Sequence, residues 1–275
     1  MKKTTIRTAI LSMYRDTDAQ GLLYLQNLLK QESGRYHGAE IEYRIFQTRF
    51  GNEMPETEDY DLFISTGGPG NPHDGEGMEW EKHYFKFLDE LFNQNLSAEH
   101  QKFHFSICHS FQLLCRHFRI ATVNRREGLP RFGIYTCSRS KEAESDSLLQ
   151  KLPEKYAVVE NRSWQCIESD EMRLKELGIT VLSKENSNPD SALLALRINP
   201  SWLATQFHPE TNPEEMRRIF LSEEKKKEVV QQYGTEKWED IMQQLGPGNS
   251  LLETYEILLP GFIRFVAEKL QKSAN

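Results

Sequence analysis

Cysteine is scarce in this chain and poorly spaced for structural use. The four thiols, Cys108, Cys115, Cys137 and Cys166, form no C-x-x-C pair and have no histidine at zinc-finger spacing, which excludes a disulfide framework and a structural zinc site. Reduced thiols in a cytoplasmic protein are expected. Long hydrophobic runs are also missing. The N-terminal stretch "MKKTTIRTAILSMYRD" carries Lys2 and Lys3 but reaches Tyr14, Arg15 and Asp16 too soon for a signal peptide or a membrane span. Positive charge is not in excess: 34 Lys and Arg against 41 Asp and Glu leave a formal net charge of −7. There is therefore no general attraction to nucleic acid or to an anionic membrane, and neither is expected as a partner. Internal repeats and low-complexity segments are absent as well, and the glycine-rich stretch has neither a Walker lysine nor the full G-x-G-x-x-G spacing that a phosphate loop requires.

What is present is an alternation of strand-like and helix-like segments through the first half, the pattern of βαβ units and a mainly parallel sheet. "IRTAILSMY" reads as a strand leading to the helical "LLYLQNLLKQ". "IEYRIFQTRF" and "YDLFIST" read as further strands, a helix is expected from about Trp80 to Phe92, and "KFHFSI" delivers Cys108 to the start of the helical "SFQLLCRHF". From Ile120 to about Phe207 short strands dominate, separated by Pro, Gly, Asn and Ser turns. After Pro213 the pattern is helical, with a "GPGNS" break and an amphipathic segment interrupted at Pro260-Gly261. The expected fold is α/β, a flavodoxin-like, mainly parallel open sheet flanked by helices. Residues 1–220 form the expected main domain and 221–275 a helical C-terminal extension packed on it.

Three segments carry chemistry: "STGGPGNP" (65–72), "SICHSFQLL" (106–114) and "TQFHPET" (205–211). Each ends a strand-like run, so a parallel sheet can bring all three to one edge. Gly67 and Gly68 allow a tight turn with unobstructed N–H groups, suited to an oxyanion. A thiol at a strand-to-helix turn, such as Cys108, faces the positive end of the helix dipole, which favours the thiolate. That turn requires small neighbours two positions away, and Ser106 and Ser110 are small. Pro209 fixes the backbone between His208 and Glu210, and a carboxylate so placed can orient an imidazole. His73 and His109 are alternative bases, expected instead to be solvated or satisfied in the core.

Together and in this order, the three segments resemble the class I glutamine amidotransferase family, the glutaminase module found for instance in GMP synthetase, over about Ile6 to Phe220. The resemblance implies Cys108 as nucleophile, His208 as its base and Glu210 as the acid orienting His208. Gly68 and His109 match the positions whose backbone N–H groups form the oxyanion hole. Gln112 matches a glutamine that contacts the amino-acid end of the substrate, and Gly67, Asn161 and Arg162 complete the implied substrate contacts. The chain departs from the family pattern at Ser106 and Ser110, where glycine is usual and where serine implies extra strain or an extra hydrogen bond. It departs again at Asn161-Arg162-Ser163-Trp164, which replaces a histidine-bearing pocket sequence.

The implied activity is hydrolysis of the glutamine side-chain amide through a γ-glutamyl thioester, without a cofactor and without a metal. No Ser-Gly-Gly-x-Asp-Ser loop of an ATP-pyrophosphatase occurs, so an ammonia-accepting synthetase would be a separate subunit. The alternatives are a free-standing γ-glutamyl hydrolase or peptidase acting on a γ-glutamyl compound with a larger leaving amine, and a non-catalytic binding protein of the same fold.

Overall fold

Strands that are apolar on both faces set the architecture. In β1 (Thr4–Leu11) and β4 (Phe103–Ile107), side chains pointing to opposite faces are buried alike, the pattern of a parallel strand covered by helices on both sides. The computed structural model describes residues 4–35, 39–96, 101–186, 188, 190–248 and 250–273. Lys2, Lys3 and Asn249 of the "GPGNS" break lie outside the described residues. The order continues after β1 with α1 (Gln20–Arg35), β2 (Ala39–Phe46), α2 (Thr48–Gly51), β3 (Leu62–Ser65) and α3 (Glu79–Leu96) before β4, then α4 (His109–Phe118). β5 (Thr122–Arg125), β6 (Arg131–Arg139), β7 (Lys155–Arg162), β8 (Trp164–Ile167), α5 (Glu171–Leu177), β9 (Thr180–Lys184), β10 (Leu193–Asn199) and β11 (Trp202–Thr205) follow. The remaining helices are α6 (Pro213–Phe220), α7 (Glu223–Tyr233), α8 (Thr235–Gln244), α9 (Leu251–Ile257) and α10 (Leu259–Ser273).

The main sheet runs β2-β1-β3-β4-β11-β10-β9-β6-β7. Its first five strands are parallel and the rest antiparallel. The parallel part is the flavodoxin-like arrangement expected from the alternating pattern. On one face Ile6, Ile10, Phe105 and Ile107 meet α1 and α10, with Phe262 edge-on to Phe105 at 5.4 Å. On the other, Ala9, Leu11 and Phe63 meet α3 and α4. A third cluster joins Ile134, Ala157 and Val159 of β6 and β7 to α6, α7 and α8. The helical tail thus covers the sheet. Among the described residues no helix is long and apolar enough to cross a membrane.

Several local expectations differ from the structure. The run 41–50 is a strand only to Phe46. There the chain turns into α2, closed by Asn52 in the left-handed region at φ 55° and by the Thr48 hydroxyl donating to the Glu53 carbonyl. Between 120 and 207 the strands are joined by a helix, α5, whose Asp170 side chain caps the Arg173 N–H. Its two turns are too short for an apolar period to register. β5 and β8, also unforeseen, pair as a separate two-stranded sheet. The final helical break falls at Leu258. Pro260 sits in the first turn of α10, where the missing N–H costs no intrahelical bond.

His104 on β4 is fully buried, 2.8 Å from the Ser65 hydroxyl and tilted 32° against Trp202 at a ring distance of 4.5 Å. Burial lowers its pKa from 6.5 to about 3. Burial does the same to His109, helped by Arg49 and Arg116. Between pH 6.5 and about 3 the unfolded chain binds protons that the folded chain refuses, so stability falls as the pH is lowered through that window. Urea midpoints measured from pH 7.5 to 4.5 should therefore decline, and His104→Phe should decline less steeply. Parallel curves for the two proteins would contradict the assignment.

Candidate active site

β3, β4 and β11 lie side by side and parallel, in register Ser65 with Ser106 and Ile107 with Thr205. Their carboxyl ends therefore release the three chemistry-bearing segments at the same edge of the sheet. Cys108 occupies the turn between β4 and α4 with φ 49° and ψ −96°, a conformation that costs a non-glycine residue about 1–3 kcal/mol. Its neighbours impose it. The Cys108 N–H donates to the Thr205 carbonyl at 2.8 Å, and the Cys108 carbonyl accepts from the Gln112 N–H at 3.1 Å. The two serines of the elbow are buried and bonded. The Ser110 hydroxyl donates to the Thr66 carbonyl at 2.6 Å, and the Ser106 hydroxyl accepts from the Trp202 indole at 3.2 Å. Each hydroxyl thus ties α4 or β4 to a neighbouring strand end, the extra bond anticipated for serine at these positions.

His208 follows β11, its N–H held by the Val159 carbonyl at 2.9 Å. Its Nδ1 donates to Glu210 Oε1 at 2.7 Å, and its ring lies beside Cys108 on the wall of the same cavity. Burial opposes a charge on the imidazole, but Glu210 and Cys108 outweigh it and hold the His208 pKa well above the ordinary value. The arrangement keeps a proton on His208 beside the Cys108 sulfur. Gly67 leaves room for this contact: a Cβ there would stand 2.9 Å from His208 Cε1 and 3.5 Å from Cys108 Cβ. A Cβ on Gly68 would meet the Met13 carbonyl oxygen at 2.6 Å, so the loop can pack against the end of β1 only without a side chain. His109, at the first position of α4, has no intrahelical partner for its N–H. Its ring is buried, and Nε2 has no partner. His73 is engaged elsewhere, through Nδ1 to Glu76 and Nε2 to the Val123 carbonyl.

A cavity of about 580 Å³ opens over Cys108, bounded by Gly68, Gln112, Asn161 and Arg162 among others. Gln112 Nε2 donates to Gln206 Oε1 at 3.2 Å, and Gln206 Nε2 reaches the Cys108 sulfur at 3.7 Å. Arg162 borders the cavity, but its guanidinium is already engaged by Glu160, Glu185 and the Trp164 carbonyl. Glu160, fully buried, also pairs with Arg131 at 2.9 Å. Asn161, exposed, is the freer member of that segment. The sequence reading missed Gln206, Tyr14 and Arg125. Gln206 lies two residues before His208, close enough to the His-Pro-Glu motif to have been considered. Tyr14 lines the cavity from a segment read only as strand, and Arg125 from the unforeseen β5. Burial, with Glu210 and Cys108 nearby, raises the Tyr14 pKa well above the usual phenol value and keeps it neutral. Among the described residues, no group of three or more His, Cys, Asp or Glu stands together as a metal site.

The close approach of Gly68 to Met13 makes a direct test. Gly68→Ala should lower the urea-unfolding free energy by about 1–3 kcal/mol. Ser110→Ala, which leaves the Thr66 carbonyl without its donor, should cost about 1–2 kcal/mol. A Gly68→Ala protein as stable as the parent would refute the packing described for the loop.

A sequence model described as glutamine amidotransferase class-I matches residues 24–227. No curated protein sequence matches the chain. Among solved structures, a glutamine amidotransferase from Thermotoga maritima superposes with a TM-score of 0.64 at 15% identity, over 96% of this chain and 97% of the other. A glutamine amidotransferase from Methylobacillus flagellatus gives 0.62 at 13% identity, over 99% and 96%. The glutaminase domain of a Trypanosoma brucei CTPS with bound acivicin gives 0.56 at 14% identity, over 96% and 94%. At these identities the superpositions speak for the fold, while the matched sequence model covers most of the chain. The chain belongs to the class I glutamine amidotransferase family.

Proposed function

We propose that the chain cleaves the side-chain amide of glutamine or of a γ-glutamyl compound, with Cys108 as nucleophile, His208 as its base and Glu210 as the acid that orients His208. One observation carries this reading. A cysteine held in a strained turn meets a histidine already bonded to a buried carboxylate, and the cysteine and histidine open into one cavity at adjacent strand ends. The Cys108 sulfur attacks the amide carbon. The N–H groups of Gly68 and His109 stabilise the oxyanion, the C–N bond breaks as His208 passes its proton to the leaving nitrogen, and a γ-glutamyl thioester remains. Water, activated by His208, then forms the new C–O bond and releases the thiol and glutamate. This chemistry needs no cofactor.

In this reading Gln112, Asn161 and the backbone at Gly67 contact the amino-acid end, with Arg162 forming the wall behind them. Residues 1–220 form the catalytic unit and 221–275 an extension packed on it, in a soluble, cytoplasmic protein. With glutamine as substrate the module is a GMP-synthetase-like glutaminase, and its ammonia passes to a synthetase on a separate chain. A second reading, a γ-glutamyl hydrolase with a larger leaving amine, is favoured by a second cavity on His208, taken up below.

Residues that act as one unit give non-additive losses. Cys108→Ala and His208→Ala should each lower kcat by at least about 10³-fold, and the double variant should be no slower than Cys108→Ala. Glu210→Gln should cost less than either. Acivicin, found bound in the Trypanosoma brucei glutaminase domain, should label Cys108 and spare the three other cysteines. Losses that multiply in the double variant, or equal labelling of Cys115, would refute the assignment.

A further inference from the structure

His208 borders two cavities. Besides the one over Cys108, a separate space of about 330 Å³ lies against it, sharing Tyr14, Asn161 and His208 with the first. It is large enough to hold a small organic group, since ligand sites start at about 300 Å³. Its character is different. The first cavity gathers Asn71, Gln112, Arg125 and Asn161, polar groups fit for an α-amino acid. The second is walled chiefly by Tyr24, Phe132, Val159, Met216, Ile219 and Phe220.

The aromatic wall is built of stacked rings. Phe132 stacks on Tyr233 at 4.4 Å with the rings 3° from parallel, and Phe220 stacks on Phe132 at 6.1 Å. Phe220 belongs to α6 and Tyr233, stacked behind Phe132, to α7, so these two helices complete this cavity. The one carboxylate on its wall, Glu160, is neutralised by Arg131 and Arg162, and the one lysine there, Lys225, is paired with Glu228 at 2.8 Å. Burial also raises the Tyr24 pKa, with Glu215 and Glu210 contributing, so its phenol stays neutral.

Resting on the proposed cleavage, we infer that this second cavity receives the substituent on the leaving nitrogen, and that the substrate is a γ-glutamyl amide of an apolar, preferably aromatic, primary amine. The leaving nitrogen must come within reach of His208, which protonates it. The glutamyl end must lie over Cys108 and toward Gln112. A substituent on that nitrogen is then directed away from the glutamyl end, past His208 and Tyr14, to the cavity they share. The reaction balances as hydrolysis. Sulfur bonds to the carbonyl carbon, the C–N bond breaks, the His208 proton goes to nitrogen, and the neutral amine departs. Water then cleaves the thioester to give glutamate and free thiol.

The test compares three amides of similar intrinsic reactivity on the full chain: L-glutamine, γ-L-glutamylmethylamide and γ-L-glutamylbenzylamide. The benzylamide should show a kcat/KM at least about tenfold above both others, the scale on which an apolar pocket discriminates. Ile219→Trp, which narrows the cavity, should lower kcat/KM for the benzylamide at least about tenfold more than for glutamine, with acivicin labelling of Cys108 retained as evidence of an intact site. Glutamine turnover with no advantage for the benzylamide, or an equal loss for both substrates in Ile219→Trp, would overturn the inference and leave the cysteine chemistry standing. Cleavage of none of the three, with Cys108 unlabelled, would overturn both.

Discussion

The backbone of Cys108 is the constraint on which the site depends. A residue with a side chain is held at positive φ where β4 becomes α4, and three contacts keep it there. The Cys108 N–H is tied to Thr205 on β11, its carbonyl to Gln112 on α4, and the Ser110 hydroxyl to Thr66 beyond β3. Each contact comes from a different element, so the turn is fixed by the assembled sheet and cannot relax locally. The same sheet edge positions His208 and Gly67. A shift of one residue in the β4–β11 register would turn every β11 side chain to the other face and carry His208 away from the sulfur.

Around this point the protein divides its polar and apolar surface with some economy. Buried charges are neutralised within a cluster, Glu160 and Glu185 with Arg131, Arg162 and Arg126, which stiffens the strand ends beside the cavity. The His208–Glu210 pair is the exception in function: one Glu210 oxygen holds Nδ1, and the other has no partner. The carboxylate is thus committed to His208 alone. The C-terminal helices cover the rest, α10 the face of the parallel strands, α9 the end strand β7, and α6 to α8 the antiparallel part, where α6 and α7 close the apolar cavity beside His208.

Much of this arrangement was legible in the sequence because reactive residues stood at the ends of apolar runs. Cys108, His208 and Gly67 each follow a buried strand, and a parallel sheet brings such ends together. Short elements were harder to read. α5 spans two turns, and β5 and β8 are four residues each, too brief for a period to stand out against noise. Residues placed by long-range register were harder still. Gln206 reaches the sulfur through the end of β11, and Tyr14 enters the site only because β1 stops at Leu11. Arg162 was expected among the substrate contacts, and nothing local foretold that Glu185, 23 positions away, would engage its guanidinium.

The central claim is that a covalent γ-glutamyl thioester forms on Cys108. Acid-quenching the protein during turnover of a saturating γ-glutamyl substrate and mapping its peptides by mass spectrometry tests this most directly. The account requires the mass of one γ-glutamyl group on the peptide carrying Cys108, none on those carrying Cys115, Cys137 or Cys166, and loss of the adduct in Cys108→Ala. Substrate turnover that persists in Cys108→Ala, or an adduct on another cysteine, would contradict it.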